Sequence, residues 1–107
     1  MSEGPGRNLP IACTLTSAEL QERRRTVLQQ VRSAVVETME LENGYAYSIP
    51  GEWFAEVARL IDLERQCCPF LTFNMTVAAG DGPIRLELTG PEGTKEFLEA
   101  TFMSEAR

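Results

Sequence analysis

The chain has 107 residues, 43% of them hydrophobic, and a net charge of -6, which suits one compact domain and is too short for two ordinary ones. The acidic balance disfavours nucleic acid and anionic membrane surfaces as partners, because no basic patch or basic helix offsets it. No apolar run reaches the roughly 18 to 20 residues that cross a bilayer, and the first residues lack the apolar core of a signal peptide, so we expect a cytoplasmic protein.

The N-terminal part predicts a flexible lead-in followed by a helix. Residues 1–10 contain two glycines and two prolines and little to bury, whereas 11–107 form the predicted domain. Thr16 followed by Glu19 is typical of a helix start in which each side chain caps the other's backbone. Helix one is predicted to run from there to about Ser33.

Helix one carries an apolar stripe with one charge inside it. The stripe consists of Leu20, Val27, Leu28 and Val31, and Arg24 lies near its middle. Two interpretations of Arg24 remain open. Its stem covers the edge of the core while its head stays in water, or its guanidinium pairs with Glu64 on the second helix.

A first hairpin is predicted from two short strands, 35–41 and 45–49, around Asn43-Gly44. Asn-Gly is typical of a type I′ turn, which needs two positive φ angles. With a two-residue turn at these positions, Leu41 would lie opposite Ala46. The pattern does not decide which side of this hairpin meets the core.

The second half repeats the order of helix and hairpin. Helix two is predicted from about 52 to 68, where Pro69 ends it. Residues 71–77 alternate, and 84–88 form the partner strand after a glycine-rich turn. One face of the two strands is apolar, with Leu71, Phe73, Met75, Val77, Ile84, Leu86 and Leu88. A final helix is predicted over 91–103.

This order predicts an α+β fold: helix, hairpin, helix, hairpin, helix, with a four-stranded antiparallel sheet and the helices on one face. It is a circularly permuted relative of the ferredoxin-like arrangement. The first two helices would be antiparallel, which brings Cys13 near the end of helix two. The other face of such a sheet is often covered by a second copy, so we expect a homodimer. The candidates for this dimer or ligand face are Tyr45, Tyr47, Phe70 and Met75.

Helix two contains the most specific feature of the sequence. Its apolar stripe comprises Trp53, Val57, Leu60, Ile61 and Cys68, with Cys67 at the edge. Glu64 lies at the middle of that stripe, where a carboxylate is out of place. Cys67 and Cys68 follow it by three and four residues, so the three side chains share the last turns of one helix face.

Thiols converging at one point favour a soft ion, since three sulfurs suit Hg(II), As(III) or Cu(I). The predicted ligands are Cys13, Cys67 and Cys68. Glu64 is the candidate fourth ligand for Zn(II) or the acceptor of a thiol proton. Arg24 and Phe70 are expected to lie next to these ligands without contacting the ion. Alternatively, the cysteines pack as small hydrophobic side chains, and Glu64 is a structural partner of an arginine. With an odd number of cysteines in a reducing compartment, we expect no structural disulfide framework, and the cysteines should be free thiols, buried fillers or ligands.

A thiol-dependent redox enzyme is a further alternative, but the sequence favours a binding protein. The negative end of the helix dipole and Glu64 would both raise the pKa of thiols at the end of helix two. The chain also contains no histidine, the usual general base.

Three segments resemble a family of small uncharacterised bacterial proteins with a Cys-Cys-Pro-Phe motif. They are Cys13-Thr14-Leu15-Thr16, the stretch 64–73 with Cys67-Cys68-Pro69-Phe70, and Leu88-Thr89-Gly90-Pro91. The family is associated with mercury and other heavy-metal resistance loci and with tails of metal-responsive regulators. The resemblance covers about 11–102 and implies that the cysteines and Glu64 are the positions to test. The sequence thus predicts soft metal or metalloid binding. A dimeric or partner-binding module with structural cysteines is the main alternative.

Overall fold

The structure is a computed structural model that describes residues 17–103. Its α+β architecture confirms the predicted order of helices and hairpins. The elements are α1 Ala18–Ala34, β1 Glu37–Leu41, β2 Gly44–Ile49, α2 Phe54–Cys67, β3 Thr72–Val77, β4 Ile84–Thr89 and α3 Thr94–Leu98. A 3-10 turn, Gly51–Trp53, leads into α2, and a π-helical turn, Glu99–Met103, continues α3. The predicted lead-in, Cys13 and Thr16 lie outside the described residues.

The four strands form one antiparallel sheet in the order β1-β2-β4-β3, so β1 and β3 are its edges. The helices pack against one face, called the covered face here, and no helix of residues 17–103 lies on the other, open face. The buried strand residues of the covered face are Tyr45, Tyr47, Ile49, Ile84, Leu86 and Leu88. The alternation predicted for the second hairpin is confirmed in β4, where Ile84, Leu86 and Leu88 point into the core. In β3, Phe73 and Met75 are half-buried as predicted, but Val77 is exposed.

The first hairpin differs from its predicted register. Leu41 pairs with Gly44 and Met39 pairs with Ala46, so the turn consists of Glu42 and Asn43. Within residues 17–103, positive φ angles occur only at Gly80, Asp81 and Gly93, so Asn43-Gly44 does not form a type I′ turn. The predicted pairing of Leu41 with Ala46 is therefore wrong, although the two residues do lie on the same face.

Gly44 is needed for a reason other than the turn. It belongs to β2 and pairs with Thr89 of β4. A Cβ atom at this position would lie 1.9 Å from the carbonyl oxygen of Leu88. The glycine thus permits a close approach of the β2 and β4 backbones. This contact occurs together with the observed register of the first hairpin.

The ends of α1 and α2 position the candidate site. Ser17 caps α1 by accepting a hydrogen bond from the Leu20 amide at 3.3 Å, one residue later than the predicted cap. The apolar stripe of α1 is buried as predicted at Val27, Leu28 and Val31. At the other end, α2 stops at Cys67, and Cys68 leaves the helical conformation in front of Pro69, with φ -122° and ψ 75°. The restriction that proline places on its preceding residue accounts for this ending.

Candidate thiol and carboxylate site

Glu64 is buried and paired with Arg24. Only 2% of the Glu64 surface is exposed, yet its carboxylate accepts from Arg24 Nε at 2.5 Å and from a terminal nitrogen of the same guanidinium at 3.3 Å. Each carboxylate oxygen therefore accepts one hydrogen bond from the guanidinium. Without this partner, the buried charge would be strongly destabilising. Of the two interpretations of Arg24, the ion pair is the one observed. It also places the first half of α1 beside the last turn of α2, as predicted.

Cys68 shares the same carboxylate. Its thiol donates to Glu64 Oε1 at 3.5 Å, and its side chain has no exposed surface. Burial and the nearby Glu64 charge raise the pKa of the Cys68 thiol to about 12, while Arg24 acts in the opposite direction. Sequence reasoning anticipated the direction from Glu64, but burial is the larger cause. The thiol is therefore protonated at neutral pH.

The two adjacent cysteines differ in oxidation state. Cys67 is disulfide-bonded, whereas Cys68 is free. The prediction of free thiols is therefore wrong at Cys67. The helix ends between the two residues, since Cys67 is the last helical residue and Cys68 has non-helical backbone angles. A half-cystine is no ligand for a metal until the disulfide is reduced.

Within residues 17–103 no group of three or more cysteine, aspartate or glutamate side chains is arranged to hold a metal ion. The described part of the predicted ligand set is Glu64, Cys67 and Cys68. Cys13, the predicted third sulfur, lies outside the described residues. Phe70 is buried in the same core as the two cysteines and packs edge-on against Phe97, with ring centroids 5.0 Å apart. The Phe70 side chain therefore contributes apolar packing next to the end of α2.

Tyr45 and Tyr47 are buried on the covered face, so the prediction that they form a dimer face on the open side of the sheet is wrong. Tyr45 donates to Glu99 Oε2 at 2.5 Å, and the Tyr47 ring packs against Phe102 with centroids 4.9 Å apart. Their alternate positions along β2 direct both rings toward the helices. The open face instead carries Met39, which is 46% exposed, beside charged residues of β4.

Sequence reasoning missed a second polar feature, which involves Arg32 and the Tyr47 hydroxyl. The Arg32 Nε atom and the Tyr47 Oη atom are buried and have no hydrogen-bond partner in the part of the chain that the structure describes. An arginine in the last turn of a helix is common, because it complements the helix dipole. The sequence therefore gives no signal that sets Arg32 apart.

No helix among residues 17–103 is long and apolar enough to cross a membrane. Comparisons with protein-family models, with curated proteins and with solved structures find no match for this chain.

Proposed function

We propose that the reduced protein binds a soft metal or metalloid ion through cysteine thiolates, with Cys67 and Cys68 as ligands and Cys13 as the third. The observation that carries this proposal is the position of the Glu64 carboxylate, 3.5 Å from the sulfur of Cys68 and one helical turn before Cys67. Thiolates prefer soft ions such as Hg(II), As(III) and Cu(I) over hard ones.

Glu64 gives the site a route for the proton that must leave a thiol when a metal binds. The thiol of Cys68 already donates to this carboxylate, so the acceptor is in place. Arg24 offsets the charge of Glu64 in the unbound protein. The carboxylate therefore acts as proton acceptor for the thiol in this proposal.

Burial favours ions whose thiolate complexes are neutral. Cys67 and Cys68 have no exposed surface, and a net charge inside the core is costly. Hg(II) with two thiolates and As(III) with three are both uncharged. The proposal therefore ranks Hg(II) and As(III) above Zn(II), which would need further ligands.

The disulfide at Cys67 makes binding depend on reduction. Cys67 is disulfide-bonded, and Cys68 is free. A dithiol reductant would convert the disulfide into thiols and so free Cys67 for binding, and Cys13, which lies outside the described residues, is the proposed source of the third sulfur. Sequestration of a toxic ion in heavy-metal resistance is the role that this chemistry fits. The cytoplasmic location and the homodimer are part of the same proposal, and light scattering tests the dimer.

Titration of the fully reduced protein with Hg(II), As(III) and Zn(II) tests the proposal, with sulfur-to-metal absorption and thermal melting as readouts. We expect one ion per chain and a higher melting temperature for Hg(II) and As(III). Cys67→Ser and Cys68→Ser should abolish the effect, and Cys13→Ser should weaken As(III) more than Hg(II). Oxidised wild type is the matched control and should not bind. Failure of all three ions to stabilise the reduced protein would refute the proposal.

Thiol–disulfide exchange is a second candidate, favoured by one observation: the half-cystine Cys67 is adjacent to the free thiol of Cys68. Exchange needs an accessible thiolate, whereas Cys68 is buried and its pKa is raised. If the protein accelerates the reduction of a small disulfide by an added dithiol, which is oxidised in turn, and Cys68→Ser abolishes this acceleration, exchange is supported. If the thiols neither bind ions nor exchange, the cysteines are structural, and a partner-binding module becomes the better interpretation.

A further inference from the structure

The backbone of the edge strand β3 has hydrogen-bonding groups that point away from the sheet. The Ala78 amide donates to the Pro83 carbonyl at 3.1 Å, and these two residues continue the register of β3 on β4. Hydrogen-bonded and non-hydrogen-bonded pairs alternate along an antiparallel ladder, so every second residue of β3, counted back from Ala78, bonds to β4. The amides and carbonyls of the residues between them point toward the free edge. These residues are Phe73, Met75 and Val77.

The hydrogen bonds on the other side of β4 give the same assignment. The Gly90 amide donates to the Asn43 carbonyl at 3.1 Å, in line with the register of β2 on β4. Counted back from Gly90, the β4 residues bonded to β2 are Leu88, Leu86 and Ile84. The alternate residues of β4 therefore bond to β3. No backbone hydrogen bond within residues 17–103 reaches the outward groups of β3.

The side chains at this edge form an apolar strip that the helices cover only in part. Phe73, Met75 and Val77 lie on the covered face, and each is opposite a β4 residue that is 0 to 1% exposed. Phe73 and Met75 themselves are half-buried, and Val77 is 48% exposed. The apolar layer of the sheet thus continues to the edge. On the open face the same strand presents neutral polar side chains, which are Thr72, Asn74 and Thr76.

We propose that β3 pairs antiparallel with β3 of a second copy, which gives the homodimer proposed above its interface. Met75 lies opposite its own copy and Phe73 lies opposite Val77, so every outward amide and carbonyl of these residues gains a partner. A shift of this register toward the start of β3 would bring in Leu71, whose amide already donates to the Cys68 carbonyl at 3.1 Å. The two four-stranded sheets become one continuous sheet.

A second copy fits this edge because β3 is self-complementary. A two-fold axis normal to the sheet keeps the covered faces of both copies on the same side, so each apolar strip meets its own copy. No like charges face each other along the new pair, since β3 contains no charged residue. The inference rests on the proposed homodimer and is independent of metal binding, so a failed ion titration and a failed dimer are distinguishable.

Amide hydrogen exchange of the full chain without metal, measured by nuclear magnetic resonance at several concentrations, tests the pairing. We expect protection of the amides of Phe73, Met75 and Val77 that falls on dilution, together with the mass measured by light scattering. The amides of Asn74 and Thr76 should stay protected at every concentration, because they bond to β4. Fast exchange of the three edge amides in a dimer would overturn the proposal. Their protection in a monomer would do the same, because another part of the chain would then cover the edge.

Charge complementation provides a second readout. Asn74 and Thr76 are exposed, and in the proposed register each faces the other residue of the second copy. The double variants Asn74→Lys, Thr76→Lys and Asn74→Glu, Thr76→Glu should each weaken the dimer at least about tenfold, because like charges then oppose each other. Mixing the two variants should restore a dimer. A mixture that stays monomeric would contradict the pairing.

Met39→Lys is the matched control, because Met39 is 46% exposed on the open face and belongs to the opposite edge strand. It should leave the mass of the wild-type dimer unchanged. Loss of the dimer in Met39→Lys but not in the β3 variants would place the interface on the open face and overturn the proposal. A wild-type chain that remains monomeric would overturn it as well.

Discussion

Replacing Arg24 by methionine should destabilise the protein strongly, because it leaves the Glu64 carboxylate in the core without its guanidinium partner. The Glu64 side chain is 3% exposed and that of Arg24 is 16% exposed. Removing one partner of a buried ion pair typically costs about 3 to 5 kcal/mol in free energy of unfolding. We take about 3 kcal/mol here, since the Arg24 side retains some access to water.

The reverse change, Glu64→Leu, should cost less, because the arginine head can turn toward solvent along its stem. The double variant Arg24→Met, Glu64→Leu should lie within about 1 kcal/mol of wild type, since apolar replacements of a buried pair are often neutral. The cycle then gives a coupling energy of about 2 to 3 kcal/mol for the pair. Other contacts of Arg24 cancel in this cycle.

Urea unfolding and thermal melting of the four proteins under one redox condition measure these energies. A loss of about 3 kcal/mol should lower the melting temperature by about 12 to 24 °C in a domain of this size. Arg25→Met is the matched control, because Arg25 and its partner Glu22 are 58% and 65% exposed. Such a surface pair should contribute below about 0.5 kcal/mol. If Arg24→Met costs no more than Arg25→Met, the buried pair does not stabilise the fold in the way argued here.

Three further predictions follow from described contacts. Gly44→Ala should lower the free energy of unfolding by at least about 2 kcal/mol, because its Cβ would meet the backbone of β4 at 1.9 Å. Gly80→Asn should be nearly neutral, since nothing lies within 4 Å of a Cβ at that position and asparagine tolerates its φ of 60°. Urea unfolding of both variants checks this difference. The hydrogen bond to Glu99 and burial raise the pKa of Tyr45 to about 12, so the stability contributed by its neutral hydroxyl is complete below about pH 10 and is lost as the pH rises through 12. Because the pKa of Tyr47, the other tyrosine, is raised as well, phenolate absorption in the native protein should be absent near pH 10, and a native transition there would contradict the assignment. Cys68 should react with an aromatic disulfide reagent in the oxidised protein only at the rate of unfolding, because it is buried and its pKa is about 12; rapid stoichiometric labelling of the native chain would disprove this.

Local patterns were sufficient to predict the element order and the exceptional position of Glu64. The alternation of the second hairpin and the stripe of α1 are properties of neighbouring residues, so period alone assigns their buried faces. Pro69 likewise ends α2 through a restriction on the residue before it. The ion pair was one of two interpretations, and only the packing of α1 on α2 decides between them.

The remaining features depend on residues far apart in the chain. The register of the first hairpin is accompanied by the approach of β4 to Gly44, which no pattern within the hairpin reveals. Both sides of β2 are largely buried, so the side that meets the helices was not readable from Tyr45 and Tyr47. The buried polar atoms of Arg32 and Tyr47 belong to α1 and β2, which are separated in sequence.

The two edges of the sheet differ in their protection against pairing with another chain. The edge strand β1 carries Glu37 and Glu40, and Glu40 forms an ion pair with Lys95. Charges of this kind make strand addition unfavourable. At the opposite edge, β3 contains no charged residue and no proline over Thr72–Val77, and Val77 is 48% exposed. Intermolecular β-pairing, and with it any tendency to aggregate through the folded state, is therefore resisted by charges along β1, whereas β3 itself contributes no charge or proline that would resist it.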